Sequence, residues 1–213
     1  MVGDSQLSHP KDACAYLIDG AESAALIDAG AGDDPAAILN NINAAGVEPS
    51  RIKWILITHC HIDHVGGINY LRRATGAQVM CHVLCAEPLA IGDNNLTAAR
   101  WYGTQLEPTF VDATFSEIEK ISLGNIELVL IHTPGHSPDS SCIYTDVGKQ
   151  RVLFGQDIHG PFSPMLGSDI NKWKKSMEKL IELKADVLCE GHYGVIRPAK
   201  EVERFIRSFL NSH

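Results

Sequence analysis

The densest chemistry in the chain lies in seven consecutive residues, Thr58-His59-Cys60-His61-Ile62-Asp63-His64, where three imidazoles crowd together with a carboxylate. With 10 His in 213 residues, a His-x-His-x-Asp-His pattern is expected by chance on the order of 0.001 times, so it marks a motif rather than a coincidence. In an extended segment His59 and His61 point to the same side and can share one cation, while a turn after Ile62 aims Asp63 and His64 at a second. Neutral imidazole and carboxylate are the ligands of zinc and of its neighbours iron and manganese. Three more residues of the same kind follow at separate places: His136 in Thr133-Pro134-Gly135-His136, Asp157 in Gly155-Gln156-Asp157, and His192 in Glu190-Gly191-His192.

Each of these positions follows an apolar run that reads as a strand. Trp54 to Thr58 precedes His59, Ile126 to His132 precedes His136, Val152 to Phe154 precedes Asp157, and Asp186 to Cys189 precedes His192. Loops at strand ends are where a rigid scaffold presents functional groups. Around them, Cys14 to Asp19 and Ala24 to Asp28 read as a hairpin turning at Asp19-Gly20. A helix capped by Asp33 or Asp34, with Pro35 in its first turn, carries Ile38, Leu39, Ile42 and Ala45 to a stop at Gly46. Further helices are expected at Gly66 to Ala74, Ile170 to Leu183 and Ala199 to Leu210, and further strands at Gln78 to Leu84 and Cys142 to Thr145. Glu87 to Phe110 follows neither period and reads as an insertion or lid, helical around Leu96 to Tyr102. Its Trp101 and Tyr102, with Arg100 beside them, suit either a substrate-facing wall or a homodimer contact. No linker divides residues 1–213, so one domain of two packed sheets with helices outside is expected.

Composition excludes other classes. Acidic residues outnumber basic ones 26 to 18, leaving a net charge of −8 and no basic stripe to track a phosphate backbone, so neither nucleic acid nor an anionic membrane is an expected partner. No apolar run approaches the roughly 20 residues of a membrane helix, and polar Met1 to Pro10 does not resemble a signal peptide, so a cytoplasmic location is expected. The six Cys read as reduced, buried thiols. His82 and His132 fall inside strands and read as structural.

Taken together, His59, His61, Asp63, His64, His136, Asp157 and His192 resemble the metallo-β-lactamase superfamily, as does Asp28 in Leu26-Ile27-Asp28-Ala29-Gly30. The resemblance implies an α/β (α+β) fold, a four-layer αββα sandwich with its site at one edge of the paired sheets. By the same resemblance, His59, His61 and His136 would hold one divalent ion, Asp63, His64 and His192 a second, and Asp157 would bridge them, with Asp28 supporting the ligands from behind. Zinc is the first expectation for the two ions, with iron or manganese as alternatives. Asp at 157, where the β-lactamase branch carries Cys, looks like the glyoxalase II and lactonase branches, although Gln156 stands where hydroxyacylglutathione hydrolases usually have Gly. The implied activity is hydrolysis of an ester, thioester or lactone in a small-molecule acyl substrate by a hydroxide shared between the ions. Asp63 would orient that nucleophile and relay a proton, and Tyr193 and His159 are candidate substrate contacts. Two alternatives are a mononuclear-iron persulfide dioxygenase using His59, His136 and Asp157, and a metal-binding sensory protein without turnover.

Overall fold

Eleven strands form two sheets. The first has the spatial order β1 (Tyr16–Asp19), β2 (Ala24–Ile27), β3 (Ile52–Leu56), β4 (Gln78–His82), β5 (Ala113–Phe115), with an antiparallel β1–β2 hairpin and parallel pairs thereafter. The second runs β11 (Gly194–Ile196), β10 (Val187–Glu190), β9 (Gln150–Phe154), β8 (Ser141–Val147), β7 (Glu127–His132), β6 (Ile118–Ser122), antiparallel throughout except for β9–β10. The computed structural model describes residues 1–213.

Side-chain alternation along the strands sorts the apolar residues into three cores. Along β2, Ala24 and Leu26 face outward onto helices while Ala25 and Ile27 face the other sheet. Along β7, Leu128 and Leu130 face inward and Val129 and Ile131 outward. The outer face of the first sheet packs on α1 (Pro35–Ala44), α3 (Ile68–Thr75) and α4 (Val83–Ile91). That of the second packs on α5 (Ile170–Glu182) and α6 (Ala199–Leu210) through Trp173, Met177, Leu180, Val202 and Ile206. The layers are therefore helix, sheet, sheet, helix, the αββα sandwich expected. Each fully buried large side chain contributes roughly 1.5–3 kcal/mol to this arrangement.

The elements differ from their expected bounds for local reasons. Asp34 caps α1, its carboxylate accepting from Ala37 N. The strand expected through Leu84 stops at His82, whose Nδ1 accepts from Leu84 N at 3.3 Å and starts α4, so Glu87 to Ile91 is helical rather than irregular. Within the lid, Leu96 to Tyr102 shortens to one 3₁₀ turn over Ala99–Tyr102. Strands β5, β6 and β11 lie outside the expected strands. They are short and half exposed, and their extended form comes from pairing with a neighbour rather than from an apolar run. The turn expected after Ile62 is a single helical turn, α2 (Ile62–Val65).

That turn is fixed by backbone contact with the loop after β2. Ala29 N donates to His64 O at 2.7 Å and Gly67 N to Gly30 O at 3.2 Å. At this approach only glycine fits, because a Cβ at Gly66 would strike Ala31 O and Ala31 C. Gly66→Ala should therefore force the two loops apart. We expect a loss of roughly 3 kcal/mol in urea denaturation of the metal-free protein, together with weaker metal retention, since His64 moves with its turn.

Candidate metal centre

All seven candidate ligands converge at the same edge of the sandwich, each carried just beyond the C-terminal end of a strand: β3 for His59 to His64, β7 for His136, β9 for Asp157, β10 for His192. They form two sets. His59, His61, His136 and Asp157 can each turn one ligand atom toward a common point, as can Asp63, His64, Asp157 and His192, so Asp157 belongs to both. All but His192 are buried.

In the first set His61 offers Nδ1, which lies 3.0 Å from His59 Nε2 and 2.9 Å from His136 Nε2. With two imidazole nitrogens near 3 Å from His61 Nδ1, the three cannot all satisfy one another, because each neutral ring has a single N–H. The spacing approaches the roughly 3.3 Å edge of a tetrahedron with metal–nitrogen bonds near 2.05 Å. In the second set His192 Nε2 lies 3.2 Å from Asp157 Oδ2 and 3.3 Å from Asp63 Oδ2, and His64 Nε2 lies 3.2 Å from Asp157 Oδ1. His64 Nε2 and Asp157 Oδ1 are buried without a hydrogen-bond partner, a costly state for polar atoms unless a cation completes it. The residues thus fit two divalent ions.

Charge divides the sets in a further way. Burial drives His59, His61 and His136 down, His136 to about 4, so these rings are neutral and ready to bind. Burial alone would raise Asp157 and depress His64. Their mutual attraction overrides it, with Asp28 and Asp63 also facing His64, so Asp157 is held well below and His64 well above the ordinary value. Hydrogen bonds to Asp157 and Asp63 raise His192 to about 10 against its burial. In the metal-free chain, protons on His64 and His192 occupy the electrostatic place of the second cation.

Outer hydrogen bonds hold the ligands in position. Asp28 Oδ2 meets His64 Nδ1 at 2.8 Å and also accepts from Thr58 Oγ1 at 2.8 Å, while its Oδ1 accepts from Thr58 N at 2.9 Å. His136 Nδ1 meets Pro161 O at 2.9 Å. Two buried carboxylates outside the ligand sets, Asp139 and Glu190, do the same work. Asp139 accepts from Cys60 N at 2.8 Å and so joins the His136 loop to the His59 loop. Glu190 accepts from His192 N and Tyr193 N at 2.7 and 2.9 Å, and its other oxygen meets His159 Nδ1 at 2.7 Å. Acidic residues three positions after His136 and two before His192, in otherwise apolar or small surroundings, were the available signal.

A cavity of about 150 Å³ opens onto the ligands between Trp101 and Tyr102 on one side and His159, Pro161 and Leu166 on the other. His159 lines it. Tyr193 does not: it lies 56% exposed against Phe205 and Phe209 of α6. Arg100 is exposed and outside the lining. Tyr102, which with Trp101 suits a substrate-facing wall or a dimer contact in sequence, lines the cavity with Asp63, and burial together with the Asp63 carboxylate pushes its phenol up, so it is a donor rather than a nucleophile. His82 and His132 stack at 3.9 Å away from the ligands, and all six thiols are free and buried.

Two outcomes follow. Asp28 has φ +60°, which Asn tolerates, so Asp28→Asn removes the charge behind His64 without backbone strain. Chelator competition should show a loss of roughly 10- to 100-fold in metal affinity. For the chelated protein, His59, His61 and His136 have folded pKa values below their unfolded value of 6.5, so the unfolded chain binds the extra protons on acidification. Stability should therefore fall as pH drops below 6.5 toward about 4. His192 acts in the opposite sense, its contribution present below 6.5 and lost as pH rises through about 10. Urea midpoints across pH 4–10 test both limbs.

Comparison with known proteins bears on the family and the fold. A hydroxyacylglutathione hydrolase of Anaeromyxobacter dehalogenans is 38% identical over 130 residues, 61% of this chain and 41% of that protein. The acyl-coenzyme A thioesterase MBLAC2 of Bos taurus is 29% identical over 210 residues, 84% of this chain and 72% of its own length. Among solved structures, a metallo-β-lactamase with a HARLDQ motif from Cronobacter sakazakii superposes with a TM-score of 0.83 at 20% identity, covering 95% of this chain and 86% of that one, which establishes a shared fold. The profile of the metallo-beta-lactamase superfamily matches residues 12–192, and the chain belongs to that superfamily.

Proposed function

We propose that this chain is a two-metal hydrolase, with zinc as its metal, that cleaves the ester, thioester or lactone bond of a small acyl substrate. The observation that carries the reading is the pair of complete ligand sets meeting at Asp157 on the floor of an open cavity. A mononuclear dioxygenase would need only part of this constellation, whereas here Asp63, His64 and His192 are equally convergent. The similar proteins named as a hydroxyacylglutathione hydrolase and an acyl-coenzyme A thioesterase support acyl transfer to water.

Two divalent ions held by these residues supply Lewis acidity and lower the pKa of water from 15.7 toward neutrality, on the general behaviour of such centres. The chain's own groups do the rest. Asp63 faces the cavity within reach of His192 and Tyr102, so its carboxylate can hold a water and accept its proton. The Tyr102 hydroxyl, protonated at every working pH, can donate to a substrate carbonyl oxygen as that oxygen gains charge. His159 is fixed through Nδ1 to Glu190, which leaves Nε2 as its free nitrogen for holding a proton destined for the leaving group. A cytoplasmic location and a single small-molecule partner belong to the same proposal. No helix is long and apolar enough to cross a membrane.

Protein loaded with zinc should hydrolyse members of an ester, thioester and lactone panel, lose that activity to a chelator and regain it with zinc. Asp63→Asn, assayed at zinc concentrations that keep both sites filled, should cost about 10²- to 10⁴-fold in kcat. Full activity of that variant with both ions bound would remove Asp63 from proton transfer. One bound iron per chain with oxygen uptake on a persulfide would overturn the hydrolase reading.

A further inference from the structure

Beyond the ligands, the cavity wall consists of Ala98, Trp101, Tyr102, His159, Pro161 and Leu166. It contains no Lys or Arg. The single imidazole among these residues is paired with the buried Glu190 carboxylate, which offsets any charge it carries. The nearest guanidinium in sequence, Arg100, is exposed and stays outside. The Trp101 ring is 54% exposed at the rim, and Met165, next to Leu166, is 78% exposed, so the apolar surface continues outward from the cavity. At about 150 Å³, the space is smaller than the roughly 300–1,000 Å³ of pockets that enclose a drug-sized ligand. It can enclose the reacting acyl group and little else.

We infer that the site takes a compact, uncharged alkyl or aryl acyl group laid against Trp101, Pro161 and Leu166, and discriminates against acyl groups whose tail carries an anion into that wall. This rests on the hydrolase reading and names its substrate class. A carboxylate on the acyl tail would give up its hydration against that wall with no Lys or Arg side chain to replace it, in a chain of net charge −8. An apolar group covers the Trp101 ring, the Pro161 ring and the Leu166 side chain and gains by removing them from water. Tyr102, above Asp63, supplies the one neutral hydroxyl donor in the wall for the carbonyl oxygen.

The test compares two esters with one leaving group, p-nitrophenyl hexanoate and the p-nitrophenyl monoester of adipic acid, on zinc-loaded protein. The neutral ester should be favoured by at least about tenfold in kcat/KM. Trp101→Arg, at a rim position where a long side chain has room, should shift that ratio by about tenfold toward the adipate ester by supplying a charge-assisted partner. A ratio near one, or one favouring the anion, overturns the inference. A binding measurement separates it from the hydrolase reading: hexanamide and 5-carboxypentanamide are titrated into zinc-loaded protein while Trp emission is followed, with Trp101→Phe as control. Saturable Trp101-dependent binding of hexanamide without hydrolysis of either ester would defeat the hydrolase reading and leave this one standing. Equal or tighter binding of 5-carboxypentanamide, or no Trp101-dependent binding of hexanamide, would defeat this one.

Discussion

Buried lone pairs that no protein donor can satisfy are the constraint around which this molecule is arranged. Five imidazoles and two carboxylates are brought within a few ångströms of one another at a sheet edge, and the His61 Nδ1 contacts at 2.9 and 3.0 Å are tolerable only if a cation comes between the rings. A cluster of this kind disfavours folding of the empty chain, so the surrounding structure has to over-determine it. The compensation is visible at the junction of the two sheets. Tyr16 Oη donates to Glu190 O at 2.7 Å, Cys14 N to Gly191 O at 2.7 Å, and Ser141 N to Thr58 O at 2.9 Å. Each links a ligand-bearing loop of one sheet to the other sheet, and the Asp139 contact with Cys60 N adds a fourth link. Removing water from between the sheets therefore also fixes the ligand geometry.

The ligand residues were legible in the sequence because their chemistry is concentrated: seven His and Asp residues, each placed after an apolar run, leave little freedom of interpretation. The sandwich was legible for the related reason that β2, the centre of β7 and the C-terminal ends of β3 and β9 are buried and apolar. What escaped was whatever depends on a partner distant in sequence. β5 and β6 carry exposed Thr114, Ile118 and Lys120 and become strands only by pairing with β4 and β7. Asp139 and Glu190 look like ordinary loop and strand-end acids until backbone donors of other segments are placed against them. Tyr102 was legible as an aromatic residue of the lid, but its place in one cavity with Asp63 joins positions 39 apart and leaves no local signature. Tyr193 illustrates the reverse. Adjacency to His192 suggested a place in the cavity, yet the strand turns there and α6 captures the ring.

The division of charge within the centre also explains why the lid can be apolar. The metal-free chain already neutralises Asp157 and Asp63 with protons on His64 and His192, so no Lys or Arg is needed nearby to hold the carboxylates together. Divalent ions held by the same residues in place of those protons would keep the positive charge on the floor of the cavity that Tyr102 and Trp101 line. Selectivity among substrates is then left to the wall, and the wall is built from a 3₁₀ turn and the loop from Pro161 to Leu166, segments that belong to neither sheet. On the hydrolase proposal the rigid sandwich edge sets the reaction, and the side chains of the two loops above it set what is brought to it, while the backbone of one of them, at Pro161 O, also holds His136.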